Sequence, residues 1–395
     1  MVGISAAARG SRTARVVAAA ALLGVVLALA LATGSARPAP TAAVPLVQVT
    51  PTELRLSQPL SGLAAAEGRA AFAFCNQLVG LWRPGSTSVT QLGPPAQWTC
   101  PPPRGLERIY SIALAGDRVA WAAAAGGIQV TSLVFQVVLG QPQVLTIAAS
   151  VSYCCRGSDP DPQRLGDVHG DGGLTVFSSR VKCGELGAPP CPAGAPRTVV
   201  SQTVWRLRSP PFQASCVGQP GPCQQLTTST GVLEPLSVGG GRIATRPANG
   251  SLEIRNAGGS VVRTFPALAG RVRGAEIMGG RVVVLVPGKV LELAIANGAV
   301  LHSRAVPQVS SGGVCGTLPC PAVRLRLLDA ARGLVAYVLD GKLVLLRMKD
   351  GTRRVVGPAT DARFGSKGLF LARTGAAPWV ARIRFVPWRS LPVRP

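Results

Sequence analysis

Residues 324–356 read RLRLLDAARGLVAYVLDGKLVLLRMKDGTRRVV, four short apolar runs cut by Ala330-Ala331-Arg332-Gly333, Asp340-Gly341 and Lys349-Asp350-Gly351. The runs are rich in Leu and Val and too short for helices, and two residues alone separate residues 334–339 from 342–348. Asp-Gly supplies the positive φ angles of a type I′ turn, whose twist matches the strands it joins, so a hairpin is expected here. With flanking strands at 324–328 and 352–356 the unit is a four-stranded antiparallel meander of about 35 residues. A meander this thin cannot bury both of its faces and needs copies to pack against.

The copies are present. A Gly-containing turn followed by a small, apolar strand occurs at Gly68-Arg-Ala-Ala-Phe72, Gly116-Asp-Arg-Val-Ala-Trp121, Asp171-Gly-Gly-Leu-Thr-Val-Phe177 and Gly241-Arg-Ile-Ala244. It returns at Gly280-Arg-Val-Val-Val284, Arg332-Gly-Leu-Val-Ala-Tyr337 and Gly368-Leu-Phe-Leu-Ala372. The intervals, about 35 to 70 residues, suit blades with variable loops. Immunoglobulin-like sandwiches need roughly 100 residues per unit, and a β-helix a shorter, stricter period. The expected fold is an all-β propeller of seven four-stranded blades, six being the alternative, with an N-terminal signal or anchor helix. The 47 Gly and 34 Pro of the 395 residues fit many strands and many turns.

The motifs GDRVAW, RGLVAYVLDGKLVLLRMKDG and GGRVVVLVPGKVLELAIANG resemble those of the TolB-like and WD-type β-propeller group, over most of the chain after Pro59. The resemblance implies a blade and not a biochemistry. The Gly-His pair and terminal Trp-Asp of typical WD repeats are absent.

At the N-terminus, Arg9, Arg12 and Arg15 precede an uncharged apolar run at 16–32 and then Gly34-Ser35-Ala36. Residues 1–36 therefore read as a secretory signal cleaved after Ala36 or as an uncleaved membrane anchor. The chain is expected to be exported, extracellular or membrane-anchored with its propeller outside the cytoplasm. Residues 37–58 form a Pro/Ala linker and then an alternating segment, 46–56, suited to an isolated strand. The last blade, 359–391, shows only about three strands, so 46–56 is the candidate to close the ring. The propeller itself takes 59–392.

The ten cysteines agree with export, since disulfides persist outside the cytosol. Spacing suggests local pairs: Cys75 with Cys100, Cys183 with Cys191, Cys216 with Cys223, and Cys315 with Cys320. Cys154 and Cys155 form a vicinal bridge or pair elsewhere. Zinc is the competing reading, but only Cys315 and Cys320 come near the required spacing.

Asp167-Val-His-Gly-Asp171-Gly172 looks like the first half of a calcium loop, to which Asp159 and Asp161 could add oxygens. His169 is a poor ligand for a hard cation and position 12 is Ser178, so a simple turn into the next strand is the competing reading. No other cofactor is indicated. The chain has two histidines, His169 and His302, and no nucleophile elbow, metalloprotease helix, phosphate loop or dinucleotide fingerprint. His302 is expected at the surface or in an interface. No catalytic residue can be named.

The net charge of +24 comes from 41 basic residues, of which only five are Lys. A basic surface favours anionic wall polymers or lipid headgroups. Nucleic acid is disfavoured because stacking aromatics are scarce, at 5%. The arginines are dispersed, however, and compositional bias explains them as well. The expected function is a non-catalytic binding or scaffold module of the cell envelope, holding a protein or envelope polymer on one face or in its channel. The alternative is a propeller enzyme, hydrolase or lyase, with a carboxylate-based or calcium-assisted site. Acidic or His side chains converging at the channel mouth would favour chemistry, and an apolar or Arg-lined rim would favour docking.

Overall fold

A computed structural model of the chain describes residues 45–395 apart from 76, 93–99, 101–107, 127–128, 142–143, 154–163, 186–187, 194–196, 209–222, 309–313, 316–317 and 320–323. The signal or anchor segment expected at 1–36 lies outside the described residues. Among the described residues no helix is long and apolar enough to cross a membrane.

The chain is a seven-bladed β-propeller. Its antiparallel blades span residues 60–92, 108–153, 169–230, 233–265, 274–305, 325–358 and 361–387, numbered 1 to 7 here. Each of the seven Gly-containing anchors falls at the turn between a blade's first and second strands. The turn chemistry is the expected one: Asp340 and Gly341 have φ of 48° and 75°, and Arg332 and Gly333 have 52° and 77°.

The first strands pack side by side in a closed ring: Leu60–Ala66, Arg108–Ala115, His169–Asp171, Leu233–Gly239, Gly274–Met278, Leu325–Ala331 and Asp361–Gly365. Close approach there requires small residues. A Cβ on Gly239 would stand 2.6 Å from the Ile277 carbonyl oxygen of the next blade. One on Gly62 would stand 2.8 Å from Ile112 Cγ2.

Second strands are apolar on both faces because each blade is packed on two sides. In Arg281–Val286, Val282, Val284 and Val286 pack towards blade 4 while Val283 and Leu285 pack towards blade 6. Likewise Ala70, Phe72 and Phe74 face blade 7, and Ala71 and Ala73 face blade 2. The period of two survives, but both phases are buried, so the strands read as continuous apolar runs.

Blade 7 has three strands of its own and is completed by the N-terminus, as expected, but not by one strand. Residues 46–56 fold into a hairpin, Val47–Val49 and Glu53–Leu56, with only the second strand paired to Ala381–Pro387. Pro51 cannot donate to a ladder, and Thr50 Oγ1 accepts from the Glu53 amide at 3.0 Å, so the chain turns there. Leu54 and Leu56 are fully buried among Phe72, Phe74 and Trp82 of blade 1 and Phe370 and Ile383 of blade 7.

Arginines fasten blade to blade. Arg69 Nη2 donates to the Gly116 carbonyl at 2.7 Å, Arg118 Nη1 to Leu207 at 2.9 Å, and Arg242 Nη1 to Gly279 at 3.1 Å. On the outer strands Arg263 reaches Ile295, and Arg304 Nε reaches Met348 at 2.8 Å. A long, planar donor on one blade thus satisfies carbonyls left over at the turns of the next. Part of the basic composition has this structural employment.

Cys75 and Cys100 lie at disulfide distance (Cα–Cα 5.5 Å), as do Cys183 and Cys191 (4.9 Å). Cys223 is disulfide-bonded. Cys154, Cys155, Cys216 and Cys320 lie outside the described residues. Cys315 sits on a two-residue strand facing Leu318–Pro319.

Candidate functional site

All seven first strands line one axial cavity of about 480 Å3. Register places its chemistry. In every blade the third residue pair back from the first turn holds the equivalent register position: Ala64–Ala71, Ala113–Ala120, His169–Val176, Ser237–Ala244, Glu276–Val283, Asp329–Ala336 and Arg363–Phe370. The first-strand members of these pairs all line the cavity, so blades 1 and 2 contribute alanines, and blades 3 to 7 contribute His169, Ser237, Glu276, Asp329 and Arg363. Asp167, Ser111, Asp361 and Arg326 stand at neighbouring levels of the wall.

The carboxyl groups differ in how they are held. Asp329 is anchored on both oxygens, Oδ1 accepting from the Ala330 amide at 2.7 Å and Oδ2 from the Phe364 amide at 2.6 Å. Asp361 Oδ1 accepts from the Ala362 amide at 2.8 Å and lies 3.4 Å from Arg363 Nε. Arg363 Nη1 donates to the Leu328 carbonyl at 2.7 Å, and Arg326 Nη2 to Thr360 at 2.6 Å. Glu276 has neither hydrogen bond nor ion pair with the described residues.

Electrostatics follow from that geometry. Burial, outweighing Arg363 and the two amides, pushes Asp329 up to about 6. Burial, with Asp329 and Asp361 adding like charge, raises Glu276 well above the usual carboxyl range against the opposing pull of Arg363. Burial alone would lower Arg363, but Asp361, Asp329, Glu276 and Asp167 hold its guanidinium above the usual value. Burial lowers His169 despite Asp167, keeping the imidazole neutral; its hydrogen bond is to the Pro235 backbone, and Nε2 has no partner. Ser237, 3% exposed, also has an unpartnered hydroxyl.

Of the residues singled out for calcium, Asp167 lines the channel, and Asp171 Oδ2 accepts from the Gly240 amide at 3.0 Å, which ties blade 3 to blade 4. Asp159 and Asp161 lie outside the described residues. Among the described residues no group of three or more His, Cys, Asp or Glu could hold a metal ion. His302 is on the outer strand of blade 5, where Nδ1 meets buried Glu292 at 2.7 Å. Glu276, Asp329, Asp361, Arg363 and Ser237 were not among the residues the sequence singled out. Their signal is positional: each but Asp361 stands four residues before the second residue of a first turn.

No family model matches the chain, and no curated protein does. Among solved structures it is similar to the WD40 β-propeller domain of Doa1, at 10% identity, over 82% of this chain and 92% of that one with a TM-score of 0.43. It is also similar to BamB from Moraxella catarrhalis, at 10% identity, 86% and 93% coverage and a TM-score of 0.41. A third is YCF48 bound to D1 peptide, at 12% identity, 87% and 99% coverage and a TM-score of 0.47.

Proposed function

We propose that this propeller is a non-catalytic binding or scaffold module of the cell envelope, that it works outside the cytoplasm, and that it engages its ligand through the central channel. Within the propellers we place it with the TolB-like group, on the blade motifs. The observation that carries the channel reading is the convergence of seven first strands on one cavity of about 480 Å3, a volume typical of ligand pockets. Carboxylates and a histidine do converge there, which by itself would favour chemistry. Their bonding favours binding: Asp329 on both oxygens and Asp361 on Oδ1 accept from backbone amides, so these two carboxyls serve as structural acceptors.

The test uses native mass spectrometry or calorimetry on wild type and Ser61→Trp, which puts an indole into the cavity, against soluble amine-bearing wall fragments. Binding by wild type and not by a folded Ser61→Trp is expected; equal binding by both overturns the channel reading. A carboxylate-based hydrolase or lyase is the second reading, favoured by Asp329 titrating near 6. Turnover of a fragment in the same mixtures would replace the first reading by the second.

A further inference from the structure

The channel wall is chemically lopsided. At the register position of the third pair from the turn, blades 1 and 2 present Ala64 and Ala113, and blades 4, 5 and 6 present Ser237, Glu276 and Asp329 in succession. Gly239 touches Ile277, so Ser237, two residues earlier, stands at the level of Ala275 and next to Glu276. Within a chain of net charge +24, the wall carries Asp167, Glu276, Asp329 and Asp361 against Arg326 and Arg363, and both arginines already donate to carbonyls.

Among the wall groups with nothing to bond, which include the Ser61 hydroxyl and His169 Nε2, two stand on the adjacent blades 4 and 5. Glu276 has no partner among the described residues, and the Ser237 hydroxyl, on a residue 3% exposed, has none either. In folded proteins most buried polar groups are satisfied, so an unpaired one beside a cavity is a place for a ligand atom. An unpartnered carboxylate beside an unpartnered hydroxyl accepts from an N–H-rich cation; an anion would meet four carboxylates. A divalent metal lacks its ligand set here. Opposite, Ala64 and Ala113 of blades 1 and 2 offer an apolar surface for an alkyl chain.

We propose that the channel binds a small organic cation, an alkyl amine or guanidine, whose charged head sits between Glu276 and Ser237 and whose alkyl part lies against Ala64 and Ala113. This rests on the channel being the ligand site. Glu276 faces Asp329, Asp361 and Arg363, Arg363 in turn faces Asp167 and His169, and His169 faces Glu234. A cation arriving beside Glu276 offsets the like charge of the two aspartates, so binding expels the Glu276 proton and strengthens as pH rises.

Calorimetry with 1,4-diaminobutane tests this, with 1-butanol, butyrate and calcium chloride as controls. The diamine alone is expected to bind, with affinity about tenfold higher at pH 8 than at pH 5, and with proton release at intermediate pH seen as a heat that varies with the buffer. Glu276→Gln should weaken binding by about tenfold or more and reduce the proton release, leaving the share of Asp329, and Ser237→Ala should weaken it about threefold. No binding, equal binding to Glu276→Gln, or tighter binding of butyrate or calcium overturns the assignment. If diaminobutane fails while Ser61→Trp still blocks wall fragments, the cation assignment falls alone; if Ser61→Trp binds fragments as wild type does, the channel reading falls with it.

Discussion

Leu54→Ala removes the side chain on which closure of the ring depends. Leu54 is fully buried, opposite Ile383 on the last strand, and packs in the cluster that joins blade 7 to blade 1. Its neighbours Phe72, Phe74, Trp82 and Phe370 are aromatic rings held by their own blades, so the site collapses poorly around the missing atoms. The cost should fall in the upper part of the range for buried Leu→Ala, about 3–5 kcal/mol. That is a large share of the roughly 5–15 kcal/mol of a typical domain. Val355→Ala is the control, since Val355 lies on the outer strand of blade 6 at 63% exposure and should change stability by less than about 0.5 kcal/mol. Urea unfolding followed by Trp fluorescence and far-UV circular dichroism measures both. A Leu54→Ala effect no larger than that of Val355→Ala would refute closure by the N-terminal hairpin. So would loss of the fluorescence transition for blade 7 alone, because a closed ring should unfold as one unit.

Three further outcomes follow from named contacts. Glu276 is raised in the folded state, so its contribution to stability is fully present below its unfolded pKa and is lost as pH rises through the folded value. In the absence of ligand, Glu276→Gln should therefore match wild type near pH 4 and exceed it at pH 8 in urea titrations; a constant difference across that window would contradict the burial argument. Arg304→Met strips donors from the Met348 and Lys349 carbonyls and should cost about 1–2 kcal/mol, with little change on adding salt, while Arg304→Lys restores only part. A loss that vanishes in 0.5 M salt (roughly a 4–5 Å screening length) would mean the residue acts as a surface charge instead. Cys183→Ser opens a loop closed across a sequence separation of 8 and should lower stability by about 2.5 kcal/mol under non-reducing conditions, an effect absent when wild type is reduced first.

Most of the blade architecture was legible in residue order, because its causes are local. Asp340-Gly341 can turn only by adopting positive φ, and the apolar runs on either side can stay dry only as strands, so the meander at 325–358 follows from a few neighbouring residues. The same holds for the seven anchors and for the missing strand of the last blade. Tertiary structure decided the rest. Residues 46–56 alternate like one strand, yet a turn at Thr50–Pro51 splits them into two, and only Glu53–Leu56 pairs with Ala381–Pro387. Arginines that look scattered along the chain become blade-to-blade clamps, since the carbonyls they satisfy belong to turns about 30 to 90 residues away. Glu276, Asp329 and Arg363 are single polar residues in separate apolar strands, unremarked by any motif, and they share one chamber only because sevenfold closure brings the same register position of each blade to the axis. Local sequence fixes which residue follows a turn; the geometry of a closed ring fixes which of those residues meet.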